Sequence, residues 1–420
     1  MSFTHGHPRA TGRDSFLAAM CMALVATNAM SAEKVLYSFQ GGSDGASPFA
    51  GLIADSAGNL YGTTSAGGPG TCEFGGCGTV FKVAPDGTET VLYSFLGGND
   101  GAMPDGGLVA DRAGNLYGTT LEGGGANNDG TVFKIAADGA ETVLYAFQGG
   151  SDGAFPRGGL IADRKGNFYG TTAAGGSANC PDGGCGTVYK VKSNGQETVL
   201  HAFQGGSDGW SPEGNVFMDT AGNLYGTTVS GGTGNPNNCG DFSCGTIFKV
   251  TQSGTESVVY DFQGGSGGYA PEAGLTIDNA GNLYGTTAYG GTGGAQCVEG
   301  QDGCGTVFRL APDGTESVLY SFHGGADGWD PVARVIMDKA GNLYGTTFAG
   351  GGTHCTQMTA GCGMVFKLAS DATETVLYAF YGKHGVQPAA GLLMGKDGLL
   401  YGTASAGGKH NNGVVFSVHK

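Results

Sequence analysis

Asp105, Glu213 and Glu272 each directly follow a proline, and Arg157 follows another. Acids gathered at one mouth could serve a hydrolase or lyase as general acid and base, provided their separation suits the substrate. Trp210, Tyr269 and Trp329 each lie two residues before such a proline. Exposed aromatic faces there could stack on sugar rings or grip a peptide; equally, they could plug a channel or pack on a neighbouring loop. Asp44, Asp100, Asp152, Asp208 and Asp327 recur in Gly-rich loops. One carboxylate per loop is thin for calcium, which needs several close oxygens, so a turn role fits better. No GxSxG, HExxH or P-loop motif is present. The expectation is no cofactor, no metal and no assignable catalytic residue.

The cysteines carry a different chemistry. After residue 32 ten remain, in five local pairs: Cys72/Cys77, Cys180/Cys185, Cys239/Cys244, Cys297/Cys304 and Cys355/Cys362. Zinc sites favour a second close pair or histidines nearby. Here each pair stands alone in its repeat with four or six intervening residues. Two repeats lack both cysteines, as expected of partners gained and lost together. Disulfides in an oxidising compartment follow, each closing a small loop worth about 2 kcal/mol by chain entropy.

These residues occupy fixed positions in a tandem repeat. An ETVLYSF-type phrase begins at Glu33, Glu89, Glu141, Glu197, Glu256, Glu316 and Glu374, giving seven copies. A Gly-rich loop and a proline follow each copy (Pro48, Pro104, Pro156, Pro212, Pro271, Pro331, Pro388). Next come a GLIADSAGNLYGTT-type segment, a variable loop that holds the cysteines, and a GTVFKV-type segment. Each unit reads as four short strands rich in β-branched and aromatic residues, separated by turn signals such as Asp86-Gly87. Four strands per unit of this length fit a propeller blade; a β-helix coil is shorter.

The two ends complement each other. The repeat region opens with a lone ETVLYSF-type strand and closes on GVVFSVHK without one. If Glu33–Phe39 completes the last blade, the chain forms an all-β, seven-bladed β-propeller with four strands per blade and no open seam. The GLIAD segments would be innermost. Crossovers and cysteine loops would then project from one rim, while tight turns occupy the other. The residues after the prolines (Phe49, Asp105, Arg157, Glu213, Glu272, Val332, Ala389) would converge on the mouth of the channel.

Whole-chain properties narrow the partners. The 420 residues include 86 Gly, and formal charge is −16 with 20 basic against 36 acidic residues. No basic stripe exists, so no nucleic-acid partner is expected. Residues 1–32 read as a signal peptide: Arg9 and Arg13 precede an apolar stretch from Phe16 to Ala26, with small residues at Ala29, Ser31 and Ala32. That stretch is too short for a transmembrane helix, and no second one occurs in residues 33–420. The expected product is exported, secreted or periplasmic, and monomeric.

The repeat GTVFKVAPDGTETVLYSF…GLIADSAGNLYGTT closely resembles the GloVer tandem repeat of bacterial choice-of-anchor surface proteins, over essentially all of residues 33–420. The resemblance implies export. Many such proteins end in an anchoring tail, whereas this sequence stops at Lys420 within a strand, so a released protein is expected. The family has no established activity, and no catalytic residue carries over. The D-x-x-G-N-L-Y-G-T segment is also similar to blades of sensor and lyase-type propellers, at the level of fold. Three functions follow as expectations. The first is a binding module for a glycan or peptide on the variable-loop face, using Trp210, Tyr269, Trp329, Asp105, Arg157, Glu213 and Glu272. The second is a propeller-type hydrolase or lyase, and the third an envelope or matrix scaffold.

Overall fold

The third strand of each blade pairs antiparallel with the outermost, fourth strand. In the first blade these are Thr79–Val83 and Glu89–Ser94, with Val80, Phe81 and Val83 fully buried. A strand buried on both faces need not alternate polar with apolar, which explains the run TVFKV. The computed structural model describes residues 33–420, apart from 74, 182, 240–242, 294–296, 298–302, 352–354 and 356–360. The signal-peptide reading falls on residues outside this set.

Seven four-stranded antiparallel sheets form a seven-bladed β-propeller. In six of them strand order follows the chain, as in Ile53–Ala54, Leu60–Thr64, Thr79–Val83, Glu89–Ser94. The seventh combines Leu393–Met394, Leu399–Ala404 and Val414–His419 with Glu33–Ser38 at its edge. Glu33 pairs with Val418 and Ser38 with Val414, so the first strand supplies the missing fourth. Thr403 Oγ1 donates to Ala50 O at 2.9 Å across the junction of the last and first blades. Equivalent bonds link the other neighbours, for example Thr119 Oγ1 to Gly158 O at 3.1 Å.

The innermost strands are shorter than their sequence suggests. GLIAD reads as five strand residues, yet Ile53–Ala54 is the whole strand. The carbonyls just upstream accept from threonines of the neighbouring blade, as Ala50 does, so the inner strand leaves its own sheet early. At the far rim, Asp55 Oδ1 accepts from the N–H groups of Ala57 and Asn59, and Oδ2 from Asn59 Nδ2 and the Tyr61 hydroxyl. Against the opposing effect of burial, these bonds hold the carboxyl below its usual pKa, and they close the D-x-x-G-N turn between the first two strands.

Gly62 shows why one strand position stays glycine. It faces Phe81 across the ladder, and a Cβ there would lie 2.7 Å from Phe81 Cζ and 2.9 Å from Leu52 Cδ2. Both neighbours are buried and cannot swing away. Gly62→Ala is expected to cost about 1–3 kcal/mol by overpacking, measured by chemical denaturation; an unchanged midpoint would refute this packing account.

All five cysteine pairs are disulfides. The Cα–Cα distances are 5.1 Å for Cys72–Cys77, 5.0 Å for Cys180–Cys185, 5.1 Å for Cys239–Cys244, 5.4 Å for Cys297–Cys304 and 5.5 Å for Cys355–Cys362. Their setting adds what the sequence did not indicate: the second cysteines of these loops are core residues. Cys77, Cys185, Cys239, Cys244, Cys304 and Cys362 are fully buried and belong to the hydrophobic core, not to an exposed loop surface. The second cysteine of each pair stands two residues before a third strand, so the chain is already entering the blade there. Its sulfur side packs with the phenylalanine that follows the outermost strand: Cys77 with Phe95, Cys244 with Phe262, Cys362 with Phe380. The first cysteines Cys72, Cys180, Cys297 and Cys355 are half-buried. In the two loops without cysteine, an asparagine with left-handed backbone takes over. Asn128 Oδ1 accepts from Gly123 N at 2.8 Å, and Asn411 Oδ1 from Gly407 N at 3.2 Å.

Candidate functional site at the channel mouth

Each crossover places the residue before its proline in the left-handed region: Ser47, Met103, Phe155, Ser211, Ala270, Asp330 and Gln387, with φ between 55° and 62°. That conformation is unfavourable for non-glycine residues and needs tertiary support. Support comes from the preceding blade. Met103 N donates to Cys77 O at 2.9 Å, Ser211 N to Cys185 O at 3.0 Å, and Ala270 N to Cys244 O at 3.2 Å. Asp330 N donates to Cys304 O at 3.1 Å, and Gln387 N to Cys362 O at 2.9 Å. The second cysteine of each bridged loop thus receives the next crossover, so disulfide, crossover and channel form one mechanical unit.

The kink turns the residue after proline into the channel. Phe49, Asp105, Arg157, Glu213, Glu272, Val332 and Ala389 all line one cavity of about 340 Å³. Their order around the ring is uneven. Blades two to five contribute the polar arc Asp105, Arg157, Glu213 and Glu272, while blades six, seven and one contribute Val332, Ala389 and Phe49. Phe49 is 40% exposed.

Charges on the polar arc are not balanced. Arg157 Nε lies 3.9 Å from Glu213 Oε1, and Ser211 Oγ donates to the same oxygen at 3.0 Å. Burial pushes the Glu272 carboxyl up to about 8; the Asp330 and Glu213 charges add to this, and Arg157 opposes it. Burial alone raises Asp330 to about 7. Asp105 is raised to about 6 by burial, with Arg157 pulling the other way. Oδ1 of both Asp105 and Asp330 is buried without a hydrogen-bond partner. Near neutral pH the mouth therefore mixes carboxylic acids, carboxylates and the guanidinium groups of Arg157 and Arg334, able both to donate and to accept hydrogen bonds.

The aromatic residues stand elsewhere. Tyr269 is 1% exposed and lies 5.4 Å from the Tyr289 ring. Trp210 packs against the cluster of Tyr169, Cys185 and Phe203, and Trp329 against that of Cys304 and Phe322. The three sit in three separate blade interfaces and do not form one exposed patch. Absent from the sequence-based set, Arg334 also lines the mouth, its Nε donating to Thr276 Oγ1 at 3.0 Å, and Asp330, just before Pro331, lies close enough to Glu272 for its charge to act on it. Asp330 carried a signal, since it occupies the position before a proline, next to those singled out.

The Gly-loop aspartates serve the blade seams. Asp44 Oδ2 accepts from the Tyr37 hydroxyl and from Gln40 N, both at 2.8 Å, and Asp100, Asp152 and Asp327 repeat the arrangement. At these positions the carboxylate closes its own turn.

Among solved structures, the chain is similar to PorZ, a surface component of the type-IX secretion system of Porphyromonas gingivalis (14% identity, TM-score 0.51, covering 90% of this chain and 47% of that one). It is also similar to a gluconolactonase from Xanthomonas campestris (14%, 0.45, 93% and 89%) and to a Trichoderma reesei carbohydrate-active enzyme of family AA12 (12%, 0.44, 93% and 96%). At such identities these likenesses show the fold alone. No curated protein matches the chain. The Gloeobacter/Verrucomicrobia repeat matches residues 24–183, 181–298 and 294–420, tiling the propeller from end to end, and the chain belongs to that repeat family.

Proposed function

We propose that this is an exported binding module, secreted or periplasmic, that takes the end of a glycan in its channel mouth on the variable-loop face. The observation that carries the reading is that one cavity brings carboxyls and guanidinium groups together with the apolar Phe49, Val332 and Ala389. A sugar ring presents both characters: hydroxyls at its edge, C–H groups on its face. Carboxyls and Arg157 would pair the hydroxyls, and Phe49 would cover the face. The five disulfides fit an oxidising compartment. Among the described residues no helix is long and apolar enough to cross a membrane.

Glycan-array binding followed by calorimetry tests this. Phe49→Ala and Glu272→Gln are each expected to weaken the selected glycan about tenfold or more, as removal of a buried contact does. Trp210→Ala should leave affinity unchanged. Binding to peptides instead of glycans, or indifference to both mouth substitutions, would overturn the proposal.

A second reading has its own support. Burial raises the Glu272 and Asp330 carboxyls to about 8 and 7, a range in which a carboxyl can give and take a proton as general acid–base catalysis in a hydrolase or lyase requires. Turnover of the bound glycan, lost in Glu272→Gln, would favour it.

A further inference from the structure

The junction between the third and fourth blades differs from the rest. Most seams place a tyrosine of one outermost strand, an aspartate of the following turn and the first glutamate of the next outermost strand together: Tyr37, Asp44 and Glu89, for instance. At the third seam the tyrosine becomes His201, on Glu197–Ala202, facing Asp208 and Glu256. The ligand-capable atoms of these three side chains lie within 4.8 Å of one another. His201 Nε2 is 3.3 Å from Asp208 Oδ2, which also accepts from Gln204 N at 2.6 Å. The His201 ring packs edge-on against Phe203 at 4.8 Å, which fixes its orientation. Among the described residues no other group of three has this geometry.

An independent feature marks the trio as incomplete. Glu256 Oε1 is shut off from solvent yet has no hydrogen-bond partner. The same orphan oxygen recurs at the other seams; in most of them a phenol rather than an imidazole faces an aspartate, and at Glu33 an imidazole is present but stands in the aspartate's place. Here an imidazole faces an aspartate, and imidazole offers a lone pair. His201 and Asp208 side chains remain 17% and 19% exposed, leaving an entry path.

From this arrangement we infer that His201, Asp208 and Glu256 form a site for a divalent transition ion such as Zn²⁺, bridging two blades. One nitrogen and two carboxylate oxygens suit a borderline-soft ion, with a water completing a tetrahedral shell. Ligands about 2 Å from such an ion stand nearer one another than 4.8 Å, so modest closure of the side chains completes the site. Calcium is disfavoured, since it takes six or more oxygens. The ion would sit between His201 of the third blade and Glu256 of the fourth and would cross-link the two.

Calorimetric titration of the intact protein with Zn²⁺ in a non-chelating buffer at pH 7 tests the site. His201→Tyr restores the residue of the other repeats, so folding should survive, and circular dichroism checks it. Wild type should show one site at least about tenfold tighter than any in His201→Tyr or in Glu256→Gln, the scale on which ligand surroundings act. Zn²⁺ should also raise Tm in wild type and not in His201→Tyr, by linkage, while Ca²⁺ raises neither. Equal isotherms for wild type and His201→Tyr overturn the inference and assign Zn²⁺ to exposed surface histidines.

Discussion

A variant lacking residues 1–39 is expected to lose cooperative folding, whereas one lacking residues 1–32 keeps it. Glu33–Ser38 is the fourth strand of the seventh sheet, paired along its length with Val414–His419. Phe39 is fully buried, and its ring meets Phe81 of the first blade edge-on at 5.0 Å. The strand also carries Glu33, whose side chain is 1% exposed and whose Oε2 lies 2.6 Å from His384 Nδ1 in the turn leading out of the sixth blade. One segment thus joins the sixth, seventh and first blades. Its removal exposes the third-strand edge Val414–His419, a run with five fully or nearly buried residues, to pairing with other chains. Concentration-dependent oligomers and a broad thermal transition should follow, read by light scattering and calorimetry.

Rescue makes the test specific. In the other blades a five-residue turn such as Ala84–Thr88 joins the third strand to the fourth. Linking the C-terminus to Glu33 by a copy of that turn, and opening the chain after Gln40, would complete the seventh blade as the other six are completed. This permutant should regain a sharp transition. A native Tm in the variant lacking residues 1–39 would mean that the ring does not depend on its closing strand.

The sequence yielded the architecture because the chain contains its own comparison set. Seven copies in register show which positions are held and which vary, and the unmatched strand at Glu33 has one vacancy to fill. The paired presence of cysteines yielded the disulfides by the same logic, though not the burial of Cys244 and Cys362 beneath the next crossover. What stayed illegible depends on contacts between different repeats. Trp210 and Tyr269 hold equivalent positions, yet each is covered by its own neighbouring loop, so their shared position did not make a shared surface. The repeat pattern assigns no role to the glutamate that opens every ETVLYSF-type strand. It is set against the preceding crossover, where the twist of stacked sheets brings the start of one outermost strand near the end of another. Likewise His201 is unremarkable until Glu256, more than fifty residues later, is seen beside it.

Those glutamates lead to the second large effect: the propeller should be most stable in mildly acid solution. Burial, with the neighbouring Asp44 charge added, raises Glu89 to about 7. Burial and an adjacent aspartate do the same for Glu141, Glu197, Glu256 and Glu374, against Asp100, Asp152, Asp208 and Asp327. Asp105 and Glu272 at the mouth are raised to about 6 and 8, and Asp330 near Glu272 to about 7. A carboxyl raised by folding binds its proton more tightly in the native state. The stability it contributes is complete below the unfolded pKa, near 4, and is lost as pH rises through the folded value. The loss therefore runs from about pH 4.5 to about 8, and it has the same sign in every blade. The hairpin aspartates act oppositely. Asp55, Asp111, Asp163, Asp219, Asp278, Asp338 and Asp397 are held below their usual pKa, so their contribution is present above about pH 4 and disappears as pH falls further. The two sets bracket a maximum near about pH 5. The seam glutamates are only partly buried, so screening by solvent reduces the effect of each. Summed over the ring, Tm should still fall by on the order of 10 °C between pH 5 and pH 8. Replacing Glu89, Glu141 and Glu197 together by glutamine, which keeps the shape and removes the titration, should flatten this slope and raise Tm at pH 8. A Tm that climbs from pH 5 to pH 8, or a slope unmoved by the triple replacement, would show that these carboxyls meet water freely and that the blades do not press them together.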